Sequence, residues 1–164
     1  MSVQDARKVA AADRTTLSDA GHPVKNNRFV AEGIVAFSAM KSASQGHLGV
    51  NQNIIFEQVL TNEGGGYHPN HGVFIAPQSG VYVMSSAIMT SANGRFHAAI
   101  VHNGNMVAHI YGHGDSGLYD QGSQTIVIKL NAEDEVAVQN FDFPDITIFG
   151  YLYSSFSGYL LWQP

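Results

Sequence analysis

Short apolar runs, each closed by turn-forming residues, are the feature of this sequence that most restricts its fold. The runs are rich in β-branched and aromatic residues, and glycine, asparagine or proline separates them. They occupy residues 34–39, 53–59, 72–76, 81–89, 96–102, 106–111, 124–130, 135–139 and 155–162. Such runs, recurring about every 8–12 residues with no convincing helix between them, predict an all-β sandwich or barrel.

The pair Asn103-Gly104 predicts a two-residue hairpin turn, because both central positions of a type I′ turn need a positive φ. The resulting register pairs residue 102 with 105, 101 with 106, 100 with 107, 99 with 108, 98 with 109 and 96 with 111. Both faces of this hairpin are then largely apolar, whereas an antiparallel sheet normally shows water one polar face. We therefore expect a subunit interface to cover the second face.

A chain of 164 residues is long enough for one domain with a substantial core. Residues 1–30 contain apolar residues too sparse for a coiled coil, so we expect an N-terminal arm that is a short helix or disordered. The strand-like region predicts a globular domain over residues 31–164. Cysteine is absent, which excludes disulfides, thiolate metal sites and a cysteine nucleophile.

Charge is distributed unevenly along the chain. Residues 1–30 carry five basic and three acidic side chains, against three basic and ten acidic ones in residues 31–164. The cations of the domain are Lys41, Arg95 and Lys129, too few for the basic stripe that nucleic acid or an anionic membrane requires. Nowhere do 18 apolar residues follow one another, so no membrane-spanning helix is predicted. The first residues lack the apolar run of a signal peptide, which fits either a cytosolic protein or a mature or recombinant form.

Six spaced residues carry a resemblance to a known family: Phe56, Asn62, Tyr67, Phe74, Gly80 and Tyr82. These residues and the five gaps between them resemble the signature of the complement C1q globular domain, although Met84 and Ser86 stand where the family usually has aromatic residues. Further similar segments are VAFSA at 35–39, residues 74–82, the turn at 103–104, residues 130–136 and FSGYLL at 156–161. The resemblance covers about residues 34–162.

The resemblance implies an all-β, ten-stranded antiparallel jelly-roll sandwich of the C1q and tumour necrosis factor superfamily, assembled as a homotrimer. The chain has no Gly-X-Y run for a collagen stalk. Stand-alone invertebrate relatives commonly act as secreted lectins of innate immunity that recognise sialic acid, mannose-type sugars or microbial polysaccharides. We therefore expect an extracellular trimer that binds glycans on microbial or cell surfaces. The alternative is a structural or signalling trimer that binds a protein partner.

The residues of the resemblance also have a plain physical interpretation. Large apolar side chains within the strand-like runs are expected to form the core, namely Phe56, Phe74, Tyr82, Phe156 and Leu160. Gly80 and Gly158 are expected where a side chain would obstruct close approach of two backbones. These residues explain folding and leave the binding site to the loops.

A glycan site needs polar side chains at loop tips and an aromatic ring for the apolar face of the sugar. Loop residues of these types are our candidate ligand-binding residues: Tyr67, His68, His71, His113, Asp115, Tyr119, Asp142, Phe143 and Tyr151. Arg95, the only arginine of the domain, is the candidate for the carboxylate of an acidic sugar. Its alternative role is an ion pair at a strand edge, worth about 0–1 kcal/mol.

The resemblance further implies calcium, because relatives often bind it near the trimer apex on acidic side chains of the loop before the sixth or seventh strand. Asp120 matches one such position, and Asp115 is the carboxylate nearest to the second. Calcium takes six to eight oxygen ligands. Solvated loop acids are therefore the alternative interpretation, and no cofactor is expected to be required.

Zinc is a weaker hypothesis that rests on histidine spacing. His68 and His71 share one loop, and His109 and His113 are four residues apart. On an extended strand, residues four apart stand roughly 13 Å from each other, so the second pair could share an ion only if the chain folds at Gly112. Ordinary surface or interface histidines are the simpler interpretation.

Catalysis is not expected from this sequence. It lacks the nucleophile, metalloprotease, phosphate-loop and dinucleotide motifs. Asp142 and Asp145 resemble a carboxylate pair, but Pro144 between them makes a loop the simpler interpretation. The chain is accordingly predicted to be a binding protein and not an enzyme.

Overall fold

Residues 33–163, the part of the chain that the computed structural model describes, form twelve β-strands and no helix. The strands are β1 (Ala36–Met40), β2 (Gln45–Leu48), β3 (Gln58–Glu63), β4 (Tyr67–His68), β5 (Val73–Ile75), β6 (Gly80–Met89), β7 (Arg95–His102), β8 (Asn105–His113), β9 (Gln121–Leu130), β10 (Glu135–Asn140), β11 (Ile146–Ile148) and β12 (Ser155–Trp162). This range accordingly contains no helix suited to crossing a lipid bilayer. The predicted arm at residues 1–30 lies outside the described residues.

Ten of the strands form two antiparallel sheets. The first sheet has the order β3-β1-β12-β6-β9, and the second has the order β4-β5-β10-β7-β8. Neighbours in each sheet are mostly distant in sequence, as in the expected jelly roll, so the all-β, ten-stranded prediction is confirmed. A small third sheet pairs β2 with β11. Three short strands, β2, β4 and β11, were not predicted, and Gln45–Leu48 of β2 is too polar to be recognised as a strand. The strand predicted at 53–59 is wrong over residues 54–57, because β3 begins at Gln58.

The core lies between the two large sheets and is built from aromatic rings. Phe37 of β1 stacks on Tyr67 of β4 at 5.0 Å and on Phe74 of β5 at 4.8 Å, centroid to centroid. Phe156 of β12 meets Phe37 edge to face at 4.9 Å. The predicted core residues Phe56, Phe74, Tyr82 and Phe156 are buried, and Leu160 packs against the core while remaining half-buried.

The two predicted close-approach glycines are also confirmed. A Cβ atom on Gly158 would collide with the sulfur of Met84 and the ring of Phe37. One on Gly80 would collide with Leu160 and with the carbonyl of Trp162. Both positions therefore need a residue without a side chain for steric reasons, independent of backbone angle.

The hairpin between β7 and β8 begins as the sequence predicts. Asn103 and Gly104 have φ angles of 48° and 78°, so both central residues of the turn are left-handed as a type I′ turn requires. The two residue pairs next to the turn also follow the predicted register.

Beyond those pairs the predicted register is wrong by one residue. Val107 forms a β-bulge, so that Ile100 pairs with Ala108. Each later residue of β8 consequently points to the face opposite the predicted one: Ile110 is buried, while His109 and Tyr111 are exposed. The outer face of the hairpin therefore carries mostly polar and aromatic side chains. The expectation of a subunit interface there rested on an apolar face, and that face is not what the structure has.

A buried cation fixes the end of β1. The Lys41 side chain is 4% exposed, and its Nζ donates to the carbonyl of Ile55 at 2.7 Å and contacts Glu57 Oε2 at 3.3 Å. Burial lowers the pKa of Lys41, and the charge of Glu57 offsets part of that effect. Burial raises the pKa of Glu57, but bonds from the Ala43 N–H and the Ser42 side chain, with the charge of Lys41, outweigh it and lower the pKa to about 2. Glu57 therefore stays ionised at neutral pH.

Replacing this buried cation tests its contribution to the fold. Lys41→Met should reduce the free energy of unfolding by about 1–3 kcal/mol, because the buried Ile55 carbonyl loses its donor and Glu57, which keeps its bonds from Ser42 and Ala43, loses the neighbouring charge. Lys129→Met is the matched control, because Lys129 is exposed on β9 and should change stability by at most about 0.5 kcal/mol. Urea unfolding followed by circular dichroism measures both, and equal losses would contradict the assignment.

Candidate functional site

Three loops meet at one end of the sandwich. They are residues 90–94, residues 114–120 and the segment 141–154, which includes the short strand β11. The N–H of Gly114 donates to the carbonyl of Gly94 at 2.8 Å, and the N–H of Phe149 donates to the carbonyl of Met89 at 3.0 Å. Most of the candidate residues lie on these loops or on the adjoining strand ends: Arg95, His113, Asp115, Tyr119, Asp142, Phe143 and Tyr151.

Arg95 and Phe143 lie beside each other in one cleft at this end. The guanidinium carbon of Arg95 lies 4.3 Å from the centroid of the Phe143 ring, a cation–π arrangement. The cleft has a volume of about 330 Å³. Its walls consist of Ser91, Gly94, Arg95, Phe143, Pro144, Asp145, Ile146 and Thr147. A cation, an aromatic ring, two hydroxyl side chains and the carboxylate of Asp145 thus line one opening.

The charge of Arg95 is not neutralised within residues 33–163, where no carboxylate forms a salt bridge with it. The two nearby acids have other partners: Asp142 Oδ2 is bonded to Nδ1 of His97 at 2.9 Å, and Asp145 Oδ1 to Nδ1 of His47 at 2.8 Å. The expected alternative, an ion pair at the strand edge, is therefore not what the structure has. The Phe143 ring positions the Arg95 side chain. The N–H groups of the Arg95 guanidinium stay available for a ligand.

A cluster of histidine and aromatic side chains adjoins the cleft on the outer face of the second sheet. Nε2 of His97 lies 2.9 Å from Nδ1 of His109. Phe141 packs edge-on against both imidazoles, with centroids 5.0 Å and 4.8 Å away, and Tyr111 meets His97 at 5.9 Å. This cluster was not predicted from the sequence, because the predicted register places His97 and His109 on opposite faces. The residues around Val107 contain no sequence pattern that predicts a β-bulge.

The loop between β8 and β9 uses Asp120 to close itself. One carboxylate oxygen of Asp120 accepts the N–H of His113 at 2.8 Å, and the other accepts the N–H of Gln121 at 2.9 Å.

Within residues 33–163, no group of three or more His, Cys, Asp or Glu side chains is placed to hold a metal ion. Calcium at Asp120 and Asp115 stays a prediction. Zinc between His109 and His113 is contradicted, because β8 continues through Gly112 without a fold.

Four aromatic rings gather beside this loop. Phe149 lies at the centre, with ring centroids of Tyr119 at 4.9 Å, Tyr151 at 5.3 Å and Tyr153 at 5.8 Å. Tyr151 is 72% exposed, and it and Leu152 have positive φ angles of 53° and 66°. Backbone of this kind costs about 1–3 kcal/mol per residue outside glycine and tends to persist at functional positions. We call these four rings the Phe149 cluster.

Three candidates lie away from the loop end. Tyr67 was proposed as a ligand-binding ring, and this is wrong, since it is 2% exposed and its hydroxyl donates to the carbonyl of Phe56 at 3.0 Å. Burial raises its pKa to about 12. His68 and His71 are exposed and border a separate cleft of about 410 Å³. The structure therefore does not join these residues to Arg95.

Solved structures with the same arrangement of strands support the fold. The globular domain of zebrafish complement 1qA protein superposes with a TM-score of 0.67 at 16% identity, covering 80% of this chain and 99% of that chain. The Eiger TNF from S. frugiperda superposes with a TM-score of 0.67 at 12% identity, covering 80% and 95%. At these identities the likeness concerns the fold alone.

Sequence comparison extends the likeness. The chain is 38% identical over 112 residues to complement C1q tumor necrosis factor-related protein 7 of Mus musculus, a match that covers 66% of this chain and 38% of that protein. It spans well under half the length of the curated relatives it matches. Residues 36–161 match the C1q domain family over nearly the whole range from β1 to β12. The chain therefore belongs to the C1q domain family.

Proposed function

We propose that this domain is a secreted recognition module that assembles as a homotrimer and binds acidic glycans in the cleft between Arg95 and Phe143. Family membership places the chain among recognition and signalling modules and not among enzymes, in line with the sequence prediction. The observation that carries the proposal is an arginine held on an aromatic ring with no acidic partner in residues 33–163, inside a polar cleft. Small polar clefts at loop ends suit sugars better than protein surfaces.

The cleft offers the contacts that an acidic sugar needs. The planar guanidinium of Arg95 can bind a carboxylate through two parallel hydrogen bonds. The Phe143 ring supplies an apolar surface, while Ser91 and Thr147 supply hydroxyl groups for those of the sugar. Sialic acid, one of the ligands implied by the resemblance, has this combination of carboxylate, hydroxyls and apolar ring face.

Trimer formation is supported by an exposed apolar row on the first sheet. Register places Ala36 beside Tyr159, Tyr159 beside Val83 and Val83 beside Val127, so the four side chains share one face. Val127 is 65% exposed and Tyr159 48% exposed on the outer side of the sheet. Such a row across the sheet is the kind of surface that a subunit interface covers. A trimer would raise weak single-site affinity through multivalency.

Substitution of Arg95 tests the glycan proposal. On an array of glycans at physiological salt, measured with and without calcium, the protein should bind a focused set of carboxylate-bearing glycans. Arg95→Ala should weaken that binding about 10- to 100-fold, since hydrogen bonds to charged groups contribute about 1.5–3 kcal/mol. Arg95→Lys should give an intermediate loss, because lysine keeps the charge without the planar pair of donors.

Lys129→Ala is the matched control for this experiment, since it removes an exposed cation from β9 and should leave binding unchanged. If Arg95→Ala kept full affinity for an acidic glycan, the assignment of the cleft would be wrong. Binding to mannose-type sugars alone would support a lectin function but contradict the proposed role of Arg95 in binding a carboxylate. Loss of binding on chelation would support calcium at Asp120.

The Phe149 cluster favours a second function, binding of a protein partner. Tyr119, Tyr151 and Tyr153 are each about half exposed or more, and Leu118 and Leu152 beside them are also exposed. Tyrosine-rich apolar surfaces of this kind are enriched in protein interfaces. A blank glycan array from folded trimer, together with capture of a partner that Tyr151→Ala abolishes, would establish this alternative.

The trimer interface is tested by placing a charge in the apolar row. Val127→Lys should convert the trimer to monomer without unfolding it, because the residue is exposed in the single chain. Met106→Lys is the matched control, since Met106 is a 44% exposed apolar residue on the hairpin of the other sheet. Light scattering should give about three times the 17.7 kDa chain mass for the control and the chain mass for Val127→Lys. The opposite pattern would move the interface to the hairpin.

A further inference from the structure

His97 and His109 face each other on the outer surface of the second sheet. Nε2 of His97 lies 2.9 Å from Nδ1 of His109, and the ring centroids are 4.7 Å apart. At this distance one nitrogen carries a hydrogen and the other presents a lone pair, because two N–H groups would repel each other. Two nitrogens of the kind that metals bind therefore lie within hydrogen-bond distance of each other on the surface of the sheet.

The β-bulge at Val107 creates this arrangement. Without it, His109 would lie opposite Ala98, on the face of the hairpin that packs into the core. With it, His109 pairs with Ala99 and shares the outer face with His97. Bulges commonly re-aim side chains next to functional sites. The two histidines also lie on adjacent strands, so the sheet itself holds them together.

The surroundings orient the His97 ring. Its Nδ1 lies 2.9 Å from Oδ2 of Asp142, so Nδ1 carries the hydrogen and Nε2 presents its lone pair. Histidines that bind metals almost always donate their other N–H to a carboxylate or carbonyl in this way. The Phe141 ring, edge-on to both imidazoles, restricts their rotation further.

We propose that His97 and His109 bind a divalent transition-metal ion of the zinc type through Nε2 and Nδ1. Imidazole nitrogen suits zinc, copper and nickel, whereas calcium prefers oxygen. In the metal-free pair, Nδ1 of His109 donates its hydrogen to His97. Metal binding moves that hydrogen to Nε2 of His109, so both facing nitrogens offer lone pairs and no proton is lost from the neutral pair.

Metal binding requires the two nitrogens to move slightly apart and both rings to turn, because the nitrogens now face each other and must face the ion instead. Two zinc–nitrogen bonds of about 2.0–2.1 Å at a tetrahedral angle separate the nitrogens by about 3.3 Å, against 2.9 Å in the structure. His109 is exposed and can move by this amount without disturbing the core. Because residues 33–163 contain no third His, Cys, Asp or Glu placed to complete the set, water or ligand atoms take the remaining positions. Two protein ligands leave at least two positions open, against the single open position of catalytic zinc sites, which have three protein ligands.

Zinc titration of the full chain tests this site without any glycan. Isothermal titration with zinc chloride in a non-coordinating buffer at pH 7.5 should show saturable binding of one ion per chain. His97→Gln and His109→Gln should each abolish it, since each removes one of two protein ligands. Asp142→Asn should weaken it about 10- to 100-fold, as expected for loss of the group that orients a ligand. Calcium chloride should give no binding at this pair.

His113→Gln and His68→Gln are the matched controls, because both residues are exposed histidines outside the pair. They should bind zinc like the unaltered chain. Thermal unfolding checks that each variant is folded, and His109→Gln, at an exposed position, keeps the test decisive if His97→Gln is unstable. No saturable binding by the unaltered chain, or full binding by folded His109→Gln, would overturn the proposal. Glycan binding by Arg95 is measured separately, so either proposal can fail alone.

Discussion

The stacking of Phe37 between Tyr67 and Phe74 joins the two large sheets, because Phe37 belongs to the first sheet and the other two rings to the second. Each such aromatic pair adds about 0.5–1.5 kcal/mol beyond the apolar area it buries. Phe156 extends the stack into the centre of the first sheet. With the sheets fixed in this way, the loops between their strands start from defined positions, and candidate binding residues far apart in sequence come together at one end.

Electrostatics set the character of any interaction with an acidic ligand. Residues 31–164 carry ten acidic and three basic side chains, so the domain as a whole repels a carboxylate. Attraction must come from Arg95 at short range, where screening by salt is weakest. Asp142 and Asp145 lie close by; one oxygen of each is bonded to His97 or His47, and Asp145 also lines the cleft. The cation–π contact with Phe143 holds the guanidinium in place without consuming its hydrogen-bond donors.

Sequence patterns were sufficient for features that depend on neighbouring residues. Alternating apolar runs predicted most strands, and Asn103-Gly104 predicted its turn, because both follow from local chemistry. The bulge at Val107 was not predictable, since nothing in its local sequence marks it and its effect appears only across two strands. One misplaced residue reversed the faces of β8, and the pairing of His97 with His109 was lost with it.

In the candidate site, too, residue types could be predicted from the sequence, whereas their spatial arrangement could not. Arg95, Asp142 and Phe143 were proposed from residue type, but their proximity depends on how the 90–94 and 141–154 loops fold together. Tyr67 was proposed as an aromatic loop residue that would contact a sugar. The structure instead turns its ring inward, where Asn62 bonds to its backbone and Phe37 packs on its ring. Residue type alone does not separate a tyrosine that binds from one that packs.

The antiparallel pairing of β1 with β12 places the start of β1 and the end of β12 at the same end of the domain. Ala36 lies beside Tyr159, whereas Met40 lies beside Ser155, next to the 141–154 loop. The eight residues of β12 span roughly 23 Å at the usual rise of a strand. The described residues thus begin and end at the end of the domain remote from Arg95. Three subunits related by a three-fold axis would present their clefts in one common direction.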